Sequence, residues 1–155
     1  GLSSVAIWSG ANSDLFNDYL NWLPNNVPTG KDTAMFNTTD SEIINVTQSR
    51  YLDSIFVTNG DIVIDIANAT FHLLSTDDPL RITRFEEDTS LTFKGLNGIL
   101  KVDNPLRLHR ANISFVGGST FDAPELYSRW RKGRSLGCLL HGTPLQKRSQ
   151  RRVGP

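Results

Sequence analysis

Seven apolar pairs, each with members two residues apart, constrain this chain more than any other feature. They are Ile62/Ile64, Phe71/Leu73, Leu80/Ile82, Leu91/Phe93, Leu100/Val102, Leu106/Leu108 and Ile113/Phe115. On a strand, side chains two apart share a face, so the intervening Thr92, Lys101, Arg107 or Ser114 faces the other way. The first members run from residue 62 to residue 113, so a strand begins about every eight or nine residues. Turn formers separate them: Asn59-Gly60-Asp61, Asp77-Asp78-Pro79, Gly95 to Gly98, Asp103-Asn104-Pro105 and Gly117-Gly118. No helical period of useful length interrupts this ladder. The chain reads as all-β.

Two all-β architectures fit such spacing. A β-sandwich, the alternative here, has strands of about five or six residues and longer excursions between its sheets. A right-handed parallel β-helix uses short strands and tight turns, two or three strands to a coil. The three-residue apolar cores and uniformly short connections favour the second. One coil would then take roughly 17 to 25 residues, giving about three to five coils. Residues 1–40 read as an N-terminal cap or first coil, and 41–125 as solenoid repeats. Residues 126–155 read as a basic, disordered tail.

A solenoid exposes backbone at its terminal coils, and that edge has to be covered. The opening segment supplies two large apolar side chains, Trp8 and Trp22, with Phe36 behind them and turn formers Asn21 and Pro28 between. Each indole can bury on the order of 150–250 Å² over a first coil. Trp8, Asn21, Trp22, Pro28 and Phe36 are therefore expected to be structural.

The spacing W-S-G (8–10), Asp14, N-W (21–22), Pro28 and D-T-A-M-F (32–36) resembles the opening of autotransporter-type β-strand repeat proteins. In that family a similar unit leads into a parallel β-helical passenger. Residues 91–102 (L-T-F-K-G-L-N-G-I-L-K-V) and 111–121 (A-N-I-S-F-V-G-G-S-T-F) look like its repeating strand units, so the likeness covers about residues 5–123. The chain departs from the pattern in having no tryptophan near Leu15-Phe16 and no large C-terminal membrane barrel. The resemblance implies a bacterial passenger fragment, secreted or displayed at the cell surface or outer membrane, adhesive and without catalytic residues. Its partner would be a host-surface or matrix component or a polysaccharide, met by a monomer.

Charge divides the chain. Residues 1–127 hold sixteen Asp and Glu against eight Lys and Arg, whereas 128–155 hold eight Lys and Arg and no acid. Within that basic segment Arg129, Trp130, Arg131, Lys132, Arg134, Lys147, Arg148, Arg151 and Arg152 could bind a polyanion or stack on nucleic-acid bases. The single Cys138 cannot build an internal disulfide. No apolar run approaches the ~20 residues of a membrane span.

Catalytic and metal motifs are weak. Gly133, Ser135 and Gly137 spell the G-x-S-x-G of a hydrolase nucleophile elbow, but no acid follows Glu125 to complete a triad. Gly117 to Asp122 comes near a calcium-binding nonapeptide, with Thr120 where glycine belongs, and reads as a turn. Asp77-Asp78 and Glu86-Glu87 read as solvated turn charges, and His72 and His109 as single histidines beside strands. A carbohydrate-active β-helix, lyase or hydrolase, would have to gather groups such as Asp61, Asp65, Arg81, Arg84 and Lys101 from several coils. No catalytic residue, metal or cofactor is assigned.

Overall fold

A computed structural model describes residues 4–82, 89–103, 106–108, 112–123, 126–128, 130–131, 134–135 and 139–142, with backbone alone for 106–108, 112 and everything beyond 123. The strands are β1 (Ser4–Trp8), β2 (Trp22–Leu23), β3 (Asp32–Asn45), β4 (Arg50–Leu52), β5 (Ser54–Asp65) and β6 (Thr70–Leu73). They continue with β7 (Leu80–Ile82), β8 (Ser90–Lys94), β9 (Ile99–Val102), β10 (Leu106–Leu108), β11 (Asn112–Val116) and β12 (Thr120–Asp122). The last are β13 (Leu126–Ser128), β14 (Trp130–Arg131), β15 (Arg134–Ser135) and β16 (Leu139–Gly142). One 3-10 turn, Tyr19–Asn21, is the helical content of the described residues. The protein is all-β.

Pairing is parallel throughout, except for β1 with β2 and β14 with β15. That overturns the sandwich, whose sheets are antiparallel. Three sets of strands emerge from the register. The first aligns Ala6, Ala34, Ile55 and Leu80 across β1, the front of β3, the front of β5, and β7. The second aligns Ile44, Ile64, Phe93 and Phe115 across the back of β3, the back of β5, β8 and β11, with β16 beyond. The third aligns β4, β6, β9 and β12, bringing Leu52, Leu73 and Val102 into one row and Phe71, Leu100 and Phe121 into another. From β3 to β9 the chain visits first, second and third sets in the same order three times. Among the described residues no sheet closes on itself.

The aligned apolar residues are the buried ones, so the period-2 pattern and the register select the same core. Aromatic rings stack both along and across it. Phe93 and Phe115 lie 5.5 Å apart within the second set, and Phe115 faces Phe121 of the third set at 5.3 Å. The turns stack too. Between second and third sets, the same i to i+3 bond closes Ile66–Ala69, Gly95–Gly98 and Val116–Ser119 at 2.9, 2.9 and 3.2 Å. Ile99 N then bonds Ala69 O at 3.0 Å, and Thr120 N bonds Gly98 O at 2.9 Å, tying each turn to the one below.

Three boundaries differ from the sequence expectation. Asn59-Gly60-Asp61, a turn former between strands in the sequence, lies inside β5 as a bend. The parallel stack needs a corner there, not a hairpin, and Gly60 provides it at φ +110°, with Thr38 Oγ1 only 2.2 Å from where a Cβ would sit. Strand β3 crosses the 40/41 boundary drawn between cap and repeats. The segment assigned to a strandless tail contains β13 to β16, of which β13 pairs β10 and β16 pairs β11 in parallel.

Candidate functional site

The opening segment folds around one asparagine. Fully buried Asn21 accepts at Oδ1 from the backbone N–H groups of Asn12 and Ser13, both at 2.8 Å. Its Nδ2 donates to Ser13 Oγ and Leu15 O, both at 2.9 Å, so all the capacity of the amide is used. Asp18 braces the same loop. It accepts from Asn12 Nδ2 and Ser13 Oγ at 2.7 Å and from Leu20 N at 3.0 Å. These bonds, Asn12's foremost and then Ser13's, hold its carboxyl below the ordinary 3.8 against a small opposing effect of burial.

The loop so fixed delivers an aromatic plug. Trp22 lies edge-on to Trp8 at 5.1 Å, to Phe16 at 5.0 Å and to Phe36 at 5.9 Å, and its Nε1 donates to Phe16 O at 2.9 Å. Pro28 is buried as well. The same segment covers open backbone: β1 lies on the first set, while Phe16 N and Asp14 O bond Asn45 at the edge of the second at 2.9 and 2.8 Å. Trp8 Nε1 donates to Glu42 Oε1 at 3.1 Å, on the rung that aligns Glu42 with Ile62. Trp8, Trp22 and Phe36 thus come together, with Asn21 buried in the adjoining loop, and their contacts are packing and backbone satisfaction.

A second constellation escaped sequence reasoning. On the outward face of the third set, Tyr51, His72, Lys101 and Asp122 occupy successive rungs. The Tyr51 and His72 rings lie 5.1 Å apart at 36°, and His72 Nε2 donates to Asp103 Oδ1 at 2.8 Å. Of the residues suggested for a multi-coil catalytic cluster, Lys101 lies in this row. Asp61 and Asp65 sit on the second set, where Asp61 accepts from Ser41 and Ser90 and Asp65 meets Lys94 at 3.9 Å. Arg81 is on the first set, its guanidinium 4.2 Å from the Phe56 ring centroid. The register therefore scatters them over the three sets of strands. Arg84, Glu86-Glu87 and His109 lie outside the described residues.

The other motifs resolve into structure. Gly117 to Asp122 is a turn entering β12, with the single hydroxyl hydrogen of Ser119 shared between Phe93 O at 2.9 Å and Val116 O at 2.8 Å. Ser135 of the G-x-S-x-G pattern lies on β15, opposite Trp130 of β14, which also carries Arg131; Arg134 adjoins Ser135. Gly133, Gly137, Arg129, Lys132, Lys147, Arg148, Arg151 and Arg152 are outside the described residues. Among the described residues no three His, Cys, Asp or Glu gather as a metal site requires, and no helix is long and apolar enough to cross a membrane. Strands crossing as a barrel are a separate matter.

Compared with models of known protein families, with curated proteins and with solved structures, the chain matches none. What it does must be argued from its own residues.

Proposed function

We propose that this chain is a right-handed parallel β-helix of three to five coils. Its function in this reading is that of a non-catalytic scaffold, an adhesin-like passenger segment that is secreted or held at the cell surface. One observation carries the reading: three strand sets are revisited in constant order, each pass in parallel register on the last. A stack so built offers long, fixed outer faces, which suit display and contact. The Trp8-to-Phe36 segment supports it further, because its residues are engaged in covering the first rungs. The resemblance of that segment to autotransporter passengers adds the extracellular setting.

The His72–Asp103 pair favours a second reading, a carbohydrate-active β-helix, since a positioned histidine can act as general base. One experiment separates them. The full chain is incubated with neutral and acidic polysaccharides, with release of reducing ends or unsaturated products followed alongside retention on immobilised extracellular matrix. Retention without turnover supports the scaffold. Turnover that disappears in Asp103→Asn and His72→Ala sinks it. The charge division supports a third reading, polyanion binding through the basic segment. It predicts affinity that falls steeply with salt and vanishes when residues 128–155 are deleted.

A further inference from the structure

Tyr51 stands on the outward face of the third set, beside His72. It is 59% exposed, yet it is not loose. One side of its ring rests against His72, and Gly30 closes on its base, where an added Cβ would lie 3.5 Å from Tyr51 Cβ and 3.1 Å from Leu74 Cδ1. Half-exposed Leu74 extends the apolar patch. The row then turns polar along the stack. His72, its side chain 16% exposed, is pinned by the 47% exposed Asp103, and Lys101 and Asp122 follow on the next two rungs.

We propose that the row Tyr51–His72–Lys101–Asp122 is a docking strip for a neutral, linear oligosaccharide, with one sugar ring seated on Tyr51. The inference rests on the adhesive reading above and deepens it by naming the strip and the ligand class. A pyranose presents an apolar C–H face within a rim of hydroxyls. An aromatic face flanked by donors and acceptors complements both parts. Adjacent rungs are about 4.7–4.9 Å apart, close to the advance of one ring in an extended glycan. Successive sugars would therefore meet successive rungs. The charges favour a neutral chain, because Lys101 lies directly opposite Asp122 in register and Asp103 already accepts from His72. Such a row lacks the single-signed field that draws a polyanion. Strand backbone and the His72 contact also fix the aromatic seat in advance, which lowers the ordering cost of binding.

The test is calorimetric titration of the full chain with cellohexaose and chitohexaose as neutral probes and hexagalacturonate as the anionic one. At least one neutral hexaose should bind. Tyr51→Ala should weaken it about tenfold or more, equivalent to ~1.4 kcal/mol, while Tyr51→Phe stays within about threefold. Lys101→Ala, on a different rung, should weaken it as well, with the urea midpoints of all three variants near the parent's. Binding of hexagalacturonate alone, binding indifferent to both alanine variants, or no binding at all would each overturn the strip. Matrix retention that persists unchanged in Tyr51→Ala would defeat the strip and leave the adhesive reading standing. Loss of retention in the unaltered chain would defeat the adhesive reading itself.

Discussion

Single residues carry the corners of this stack, and glycines separate into two kinds. Gly95 holds φ +128°, and a Cβ there would lie 2.4 Å from Ala67 N and 2.6 Å from Ala67 O, both backbone atoms of the turn beneath. Neither atom can move without breaking the turn-to-turn contact. Gly95→Ala should therefore cost at least about 1–3 kcal/mol, the scale of one strained residue. Gly30 has an ordinary φ, and its nearest neighbour is the flexible tip of Leu74. Gly30→Ala should cost less than about 1 kcal/mol. Urea unfolding of the two variants checks this, and equal midpoints would refute it. Asn21 is the other sensitive residue. Removing its amide strands Asn12 N and Ser13 N, while Leu15 O keeps the Asp18 N–H, so Asn21→Ala should destabilise by about 2–4 kcal/mol. Asn21→Asp keeps the acceptors but sets a carboxylate against Leu15 O, and should fall no closer to the parent than the alanine variant by more than about 1 kcal/mol.

At the scale of elements, the cap should respond to acid through Asp18. Its folded pKa is lowered by hydrogen bonds from Asn12 and Ser13 and the Leu20 amide. The stabilisation is thus fully present above the unfolded value near 3.9 and is lost as pH falls through the folded value. Between pH 6 and pH 3 the parent should lose cap stability, read from Trp8 and Trp22 fluorescence during unfolding. Asp18→Asn should start weaker at pH 6 and change less; an unchanged acid response in that variant would remove Asp18 from the account. The strands themselves were legible in sequence because Leu91/Phe93 or Leu100/Val102 carry their inward direction in a period of two. The burial of Trp8 and Trp22 was legible because two tryptophans among turn formers have few other uses. Register was not. Thr33 meets Ser54 across 21 residues, while Ser90 reaches Asp61 across 29, so no fixed repeat assigns a residue to a face. His72 and Asp103 are 31 residues apart, and nothing local announces that they share a face. Gly60 was legible as a turn former, but not as a corner inside one strand, since a corner and a break between strands use the same residue types.

At the scale of the whole molecule, in the β-helix proposed above each level touches chiefly the levels on either side, so stability should be distributed along the stack as in one-dimensional arrays. The rings of Trp8, Phe16, Trp22 and Phe36 pack together beside the first strands, and Phe93, Phe115 and Phe121 pack further along. A lesion should therefore be felt near its own level first. Trp22→Ala removes a fully buried indole that contacts Trp8, Phe16 and Phe36, a loss of about 3–5 kcal/mol at that end. Leu100→Ala removes a fully buried side chain between Phe71 and Phe121, about 2–5 kcal/mol in the third set. In native-state hydrogen exchange, Trp22→Ala should lower protection most in β1 and β3 and least in β9. Leu100→Ala should reverse that order, with β6, β9 and β12 losing most. A uniform loss from both variants would mean that the stack unfolds as one unit. In that case the cap would be an inseparable part of a single core, and its tryptophans would stabilise Phe121 as strongly as Phe36.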